Sequence, residues 1–206
     1  MLKYQSYLSI LLSGVFVASS ALADITVNLV IAQGPNSLTK AEADQLFNEA
    51  NIQFASQIGE PLRIKHYRFI TNPFPEEQKK LSKRLRMLRL WDGWFERRGV
   101  GADVNFAITP PFEEGGLYWL AGYSEAICKK GGVAYSTAEV FNNYGAPRFE
   151  HSKVAFLHEL GHLVGAPHED SNTIMHADAT ARTDSMTKIR YSNQSSERIK
   201  KCIKNW

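Results

Sequence analysis

The stretch His158-Glu159-Leu160-Gly161-His162-Leu163-Val164-Gly165-Ala166-Pro167-His168 decides how this chain is read. Apolar Leu160, Leu163 and Val164 mark a buried helix, predicted over Ser152 to Val164. His158 and His162 stand at i and i+4, so their rings share one helix face, about 6 Å apart along the axis. Two imidazoles so spaced reach one metal ion, and zinc suits them. Glu159 is too far round the helix to ligate but is placed near the water such a metal holds. Gly165 can adopt the positive φ that ends a helix, and Pro167 forbids its continuation. His168 then emerges as a third ligand, leaving a fourth position open, the mark of a catalytic rather than a structural zinc. A bare H-E-x-x-H arises often by chance; the added Gly and His cut such accidents on the order of a thousandfold. The alternative, a helix with surface histidines and no metal, conflicts with the apolar residues around them.

Working outward, Ile25 to Ile31 reads as a β-branched strand. Thr39-Lys40-Ala41-Glu42 fits a capping box, and Ala43, Leu46, Phe47, Ala50 and Phe54 form the apolar face of the helix it starts. Leu62 to Ile70 is a second strand, closed by Asn72-Pro73 and Pro75. Glu76 to Arg98 reads as a helix with Leu81, Leu85, Leu88 and Trp91 as its core stripe. Lys79, Lys80, Lys83, Arg84, Arg86 and Arg89 form its charged face; a membrane-surface or polyanion-binding helix is the alternative. Further strands are expected at Ala102–Thr109, Leu117–Tyr123 and Gly132–Tyr135, with a last short helix from about Ser196 to Lys204. Strands alternating with long helices predict a mixed α+β sheet with helices packed on it.

The first 23 residues read as a secretory signal: Lys3, a short apolar run from Leu8 to Val17, and Ala21-Leu22-Ala23 as the cleavage site. The run is about half the length a membrane span needs. The mature chain, 24–206, is therefore expected to be secreted or periplasmic, one catalytic domain with no membrane span. At 206 residues, 44% hydrophobic and 22% charged, the chain has enough apolar material for one core. A net charge of +3 is too mild to argue for a nucleic-acid partner. The two cysteines, Cys128 and Cys202, suggest one disulfide in an exported chain, with two buried thiols as the alternative.

The long histidine motif, followed by Met175 in Thr173-Ile174-Met175-His176, resembles that of the metzincin clan of zinc endopeptidases. The resemblance implies a twisted, mixed five-stranded sheet with helices above a substrate cleft (24–165). Below it would lie a small irregular subdomain with a C-terminal helix (166–206). Met175 would form the hydrophobic base beneath the zinc without ligating it. The segment from Met175 to about Arg190 would wall the pocket for the side chain after the cut bond. Ala121-Gly122-Tyr123-Ser124-Glu125-Ala126-Ile127-Cys128 is similar to the edge strand and cysteine of adamalysins, which implies that Cys128 pairs with Cys202. Protein or peptide substrate would then lie along this edge, near Leu117–Ser124.

The subfamily features are mixed. Glu169 and Thr173 stand where adamalysins usually have Asp and Cys. Glu169 and His176 resemble astacins, but Ala177 replaces the astacin tyrosine. Gly161 and the short tail favour an adamalysin-like or matrixin-like subdomain. The expectation is a monomeric, zinc-dependent endopeptidase holding one Zn²⁺ on His158, His162 and His168, with Glu159 as general base. Its rivals are a zinc-holding binding protein and a narrow amidase acting on cell-wall peptides.

Overall fold

A computed structural model describes residues 24–77, 84–98, 101–114, 117–119, 122–125, 127–138, 148–170, 172–177 and 189–206. The predicted signal segment lies outside the described residues. Strand β1 (Ile25–Gln33) is buried along nearly its whole length. A strand alternates between faces, so burial of consecutive residues means that both faces are covered. Parallel to it run β2 (Leu62–Thr71) on one side and β3 (Val104–Thr109) on the other. Phe112–Glu114 (β4) and Leu117–Trp119 (β5) form a separate antiparallel hairpin. Gly122–Ser124 (β6) is an antiparallel edge strand paired to β7 (Gly132–Thr137), which is itself parallel to β3. The sheet order is β2-β1-β3-β7-β6, the mixed five-stranded sheet expected, with β6 at its edge.

The strands' alternation sorts two cores. Leu29, Ile31, Phe106, Ile108 and Ala134 face helices α1 (Lys40–Ile58) and α3 (Arg148–Leu163). Val30, Ala32, Ala107, Val133 and Tyr135 face α2 (Arg84–Glu96). The first core is locked by aromatics: Phe156 of α3 packs 4.6 Å from Phe106 and 6.3 Å from Phe47, ring centre to ring centre. Each fully buried Leu or Phe of this kind contributes about 1.5–3 kcal/mol relative to exposure. Helix α1 starts as read. Thr39 Oγ1 accepts from Glu42 N, and the Glu42 carboxylate accepts from Thr39 N. Its five predicted apolar positions are all buried, joined by Ile58.

Other expectations are corrected. The strand read over Leu117–Tyr123 is two strands in different sheets, and only Gly122–Ser124 extends the main sheet. In α2 the buried stripe is Met87, Leu88, Trp91, Trp94 and Phe95, while Leu85 is 48% exposed. Leu85 lies about 120° round the helix from Trp91, off the face that the three large aromatics choose. Leu81, Lys79, Lys80 and Lys83 lie outside the described residues. Helix α3 begins at Arg148, earlier than read. Helix α4 (Asn193–Lys204) also begins earlier, because Ser192 caps it by accepting from Ser195 N. No helix among the described residues is long and apolar enough to cross a membrane.

Cys128 and Cys202 form a disulfide, with Cα atoms 5.6 Å apart and 74 residues between them in sequence. It ties α4 to the loop after β6. That loop also caps α3, since Cys128 N donates to His162 O (3.3 Å) and Lys129 N to Leu163 O (3.1 Å). Replacing both cysteines with serine is expected to lower unfolding free energy by about 2–4 kcal/mol, the cost of freeing so long a loop. The urea midpoint of the double variant measures this; an unchanged midpoint refutes it.

Candidate metal centre

Helix α3 ends as Gly165 allows. With φ of +115°, Gly165 donates its N–H to His162 O (3.0 Å), and Ala166 N donates to Gly161 O (2.8 Å). This pair of bonds is a Schellman turn, which absorbs the last carbonyls of the helix and reverses the chain. A Cβ at Gly165 would also lie 2.9 Å from Cys202 Cβ, so the turn packs directly on α4. The reversal returns His168 to the face of α3 that carries His158 and His162.

The three rings converge by their Nε2 atoms, which are 3.2 Å (His158–His162), 3.1 Å (His162–His168) and 3.3 Å (His158–His168) apart. Three nitrogens bound to one tetrahedral zinc at its usual bond length stand about 3.3 Å apart. The other ring nitrogens of His158 and His162 fix the tautomers of those two rings. His158 Nδ1 donates to Ile174 O (2.6 Å) and His162 Nδ1 to Ala166 O (2.7 Å). A carbonyl only accepts, so these protons sit on Nδ1 and the Nε2 atoms carry lone pairs. Two lone pairs 3.2 Å apart repel unless a cation lies between them. The donor set therefore fits zinc. Among the described residues this is the one group of three or more His, Cys, Asp or Glu side chains that could hold a metal. His158 is buried, His162 half-buried and His168 exposed, so the centre opens to solvent on the His168 side.

Glu159 is only 6% exposed. Its carboxylate lies against the backbone of the edge strand: a Cβ built on Gly122 would fall 2.5 Å from Glu159 Cγ and Oε1. Glycine is the residue that leaves room there. A glycine inside a strand often marks such a close approach, and that signal was available at Gly122. A cleft of about 410 Å³ joins the three histidines and Glu159 to Gly122, Tyr123 and Ser124. Ala177 also lines this cleft.

Met175 is fully buried beneath α3, and a Cβ at Gly161 would lie 2.6 Å from its Sδ. The turn carrying Met175 is fixed by Thr173 Oγ1, which accepts from Met175 N (3.2 Å), and by Glu169 N, which donates to Met175 O (3.0 Å). Glu169, next to His168, joins three elements: its carboxylate accepts from Thr173 Oγ1 (3.2 Å) and from Ser192 and Ser195 Oγ (2.6 Å each). Tyr191 Oη donates to Leu157 O (2.7 Å), one residue before His158. Burial pushes that hydroxyl well above the usual tyrosine range, so it stays a donor. The sequence alone did not reveal the roles of Glu169 and Tyr191, because their partners sit in other elements. The pocket wall expected after Met175 lies largely outside the described residues.

A family profile described as Metallo-peptidase family M12 matches residues 20–203. The archaemetzincin amzA of Methanopyrus kandleri has a similar fold, with a TM-score of 0.60. It is 15% identical, over 88% of this chain and 96% of that one. Metalloproteinase-II of Bacteroides fragilis gives a TM-score of 0.61 at 15% identity, over 88% of this chain and 54% of that one. No curated protein matches the sequence. At this identity the structural likeness is one of fold, and neither neighbour assigns an adamalysin-like or matrixin-like subtype.

The protein is expected to bind zinc through this triad. Changing His162 to Ala should weaken binding by roughly a hundredfold or more, since one of three ligands and its oriented lone pair are lost. Competition against a chromophoric chelator measures this; unchanged affinity would move the metal elsewhere.

Proposed function

The chain belongs to Metallo-peptidase family M12, and from that premise we propose that it is an exported endopeptidase with Glu159 as its general base. That it is a zinc metallopeptidase acting on protein or peptide follows from the family. The finer reading rests on one observation: a buried carboxylate, Glu159, beside three imidazole nitrogens 3.1–3.3 Å apart. His158, His162 and His168 would hold one zinc per chain. Zinc, when bound, supplies Lewis acidity that acidifies water and polarises the carbonyl of the bond to be cut. Glu159 takes a proton from the attacking water on a carboxylate oxygen. The water oxygen bonds to the carbonyl carbon, the C–N bond breaks, and Glu159 passes the proton to the departing amine nitrogen. Gly122 seats that carboxylate, and Met175 supports the histidines from beneath.

Among the described residues β6 is the edge strand of the sheet, and an extended peptide would pair with its backbone, which supports binding along Gly122–Ser124. In this reading residues 24–165 form the upper wall of the cleft and 166–206 the lower, in a monomer. Residues 1–23 are the export signal, cut after Ala23, and the Cys128–Cys202 bond suits an oxidising compartment. The secreted form then begins at Asp24, which N-terminal sequencing tests.

Glu159→Gln should keep zinc and lower turnover of a casein or peptide substrate by roughly a hundredfold or more. Gly122→Ala should also keep zinc but lower kcat on the order of tenfold or more, because its Cβ displaces the base by a fraction of its own size. Metal analysis beside kinetics separates these outcomes from zinc loss. Full turnover in Glu159→Gln would sink the assigned mechanism.

A further inference from the structure

The cleft has a second wall. Opposite α3, across the edge strand, stands Arg84 at the start of α2, lining the same 410 Å³ cavity as His158 and Glu159. Arg84 lies two helical turns before Trp91, on the sheet-facing side of α2. Trp91 is fully buried there, whereas Arg84 is exposed, so at this end the sheet-facing side meets the cleft rather than the core. Its backbone is held in place: Tyr135 Oη, from β7, donates to Arg84 O (3.3 Å).

The neighbouring charges are already matched. Arg86 pairs with Glu77 (2.8 Å), and Glu125 pairs with Lys129. Glu159 is the buried base. Among the described residues the Arg84 guanidinium pairs with no carboxylate. Among those residues its positive charge is thus left to face the cleft that, in the proposed reading, receives a peptide. Tyr135 registers both charges. Burial raises its hydroxyl, the Glu159 carboxylate raises it further, and Arg84 opposes them.

We propose that Arg84 determines specificity by binding an acidic side chain, Asp or Glu, of the substrate near the cleaved bond. The inference rests on the peptidase reading above. A guanidinium presents a fork of N–H donors that matches a carboxylate in two parallel bonds. Tyr123 and Ile127, 40% and 54% exposed in the same cleft, provide apolar contact for the residues beside it.

The test uses zinc-loaded protein and matched fluorogenic peptides that differ by Glu against Gln at each of three positions either side of the scissile bond. At one position Glu is expected to raise kcat/KM about three- to tenfold, mostly through KM, with the preference shrinking as salt rises. Arg84→Gln should abolish the preference while leaving the Gln peptide's kcat unchanged, and Arg84→Glu should favour Lys at that position. No Glu preference at any position overturns the proposal. So does an equal loss on both peptides in Arg84→Gln, which would mean that Arg84 acts on Glu159 rather than on substrate. If no peptide is cleaved, the peptidase reading fails instead. Fluorescence anisotropy of the same pairs on zinc-loaded Glu159→Gln then decides: Arg84-dependent preference for Glu supports the proposal, and equal binding overturns it.

Discussion

The reversal of the chain at Gly165 is the constraint on which the site depends. His162 O receives both Gly165 N from its own turn and Cys128 N from the loop after β6. Ala166 donates to Gly161 O and accepts from His162 Nδ1, so one residue both ends the helix and sets the tautomer of His162. Cys202 packs against Gly165 from the far side and bonds covalently to Cys128. A helix terminus normally leaves carbonyls unsatisfied. Here they are satisfied by the same segments that aim His168 at the other two histidines. Any residue but glycine at 165 would strain φ and collide with α4 together.

The sheet sets the other side of the centre. Strands β1, β3 and β7 are sandwiched between α1 and α3 on one face and α2 on the other, which leaves the antiparallel edge strand beside α3. Burying Glu159 against that strand costs desolvation, which a carboxylate tolerates only where charge or donors meet it. A cation held by the adjacent histidines would meet it there. The packing that stabilises the fold and the geometry that positions the Glu159 carboxylate are thus the same contact, α3 against β6.

Beneath the histidines the polar network is dense for so small a region. Glu169 gathers hydroxyls from Thr173, Ser192 and Ser195, and Tyr191 reaches the carbonyl of Leu157. These bonds link the turn carrying Met175 to the cap of α4 and to α3. Fully satisfied buried networks rigidify what they join. Rigidity is useful here, because His158 is oriented by Ile174 O in that same turn.

What the sequence by itself determined was whatever depends on neighbours along the chain. The i, i+4 histidines, the glycine that ends their helix, the Thr39–Glu42 box and the apolar face of α1 all rest on helical period and cap chemistry within a few residues. The cysteines were legible because only two exist. Tertiary structure decided what depends on distant partners. It split Leu117–Tyr123 between two sheets, because strand pairing is settled by which backbone lies alongside. It turned α2 about Trp91, leaving Leu85 outside, because Val133 and Tyr135 offered the surface to fill. It placed Gly122 against Glu159, Glu169 against the cap of α4, and Arg84 across the cleft. Each of those contacts joins elements far apart in sequence, and no local pattern encodes the distance between them.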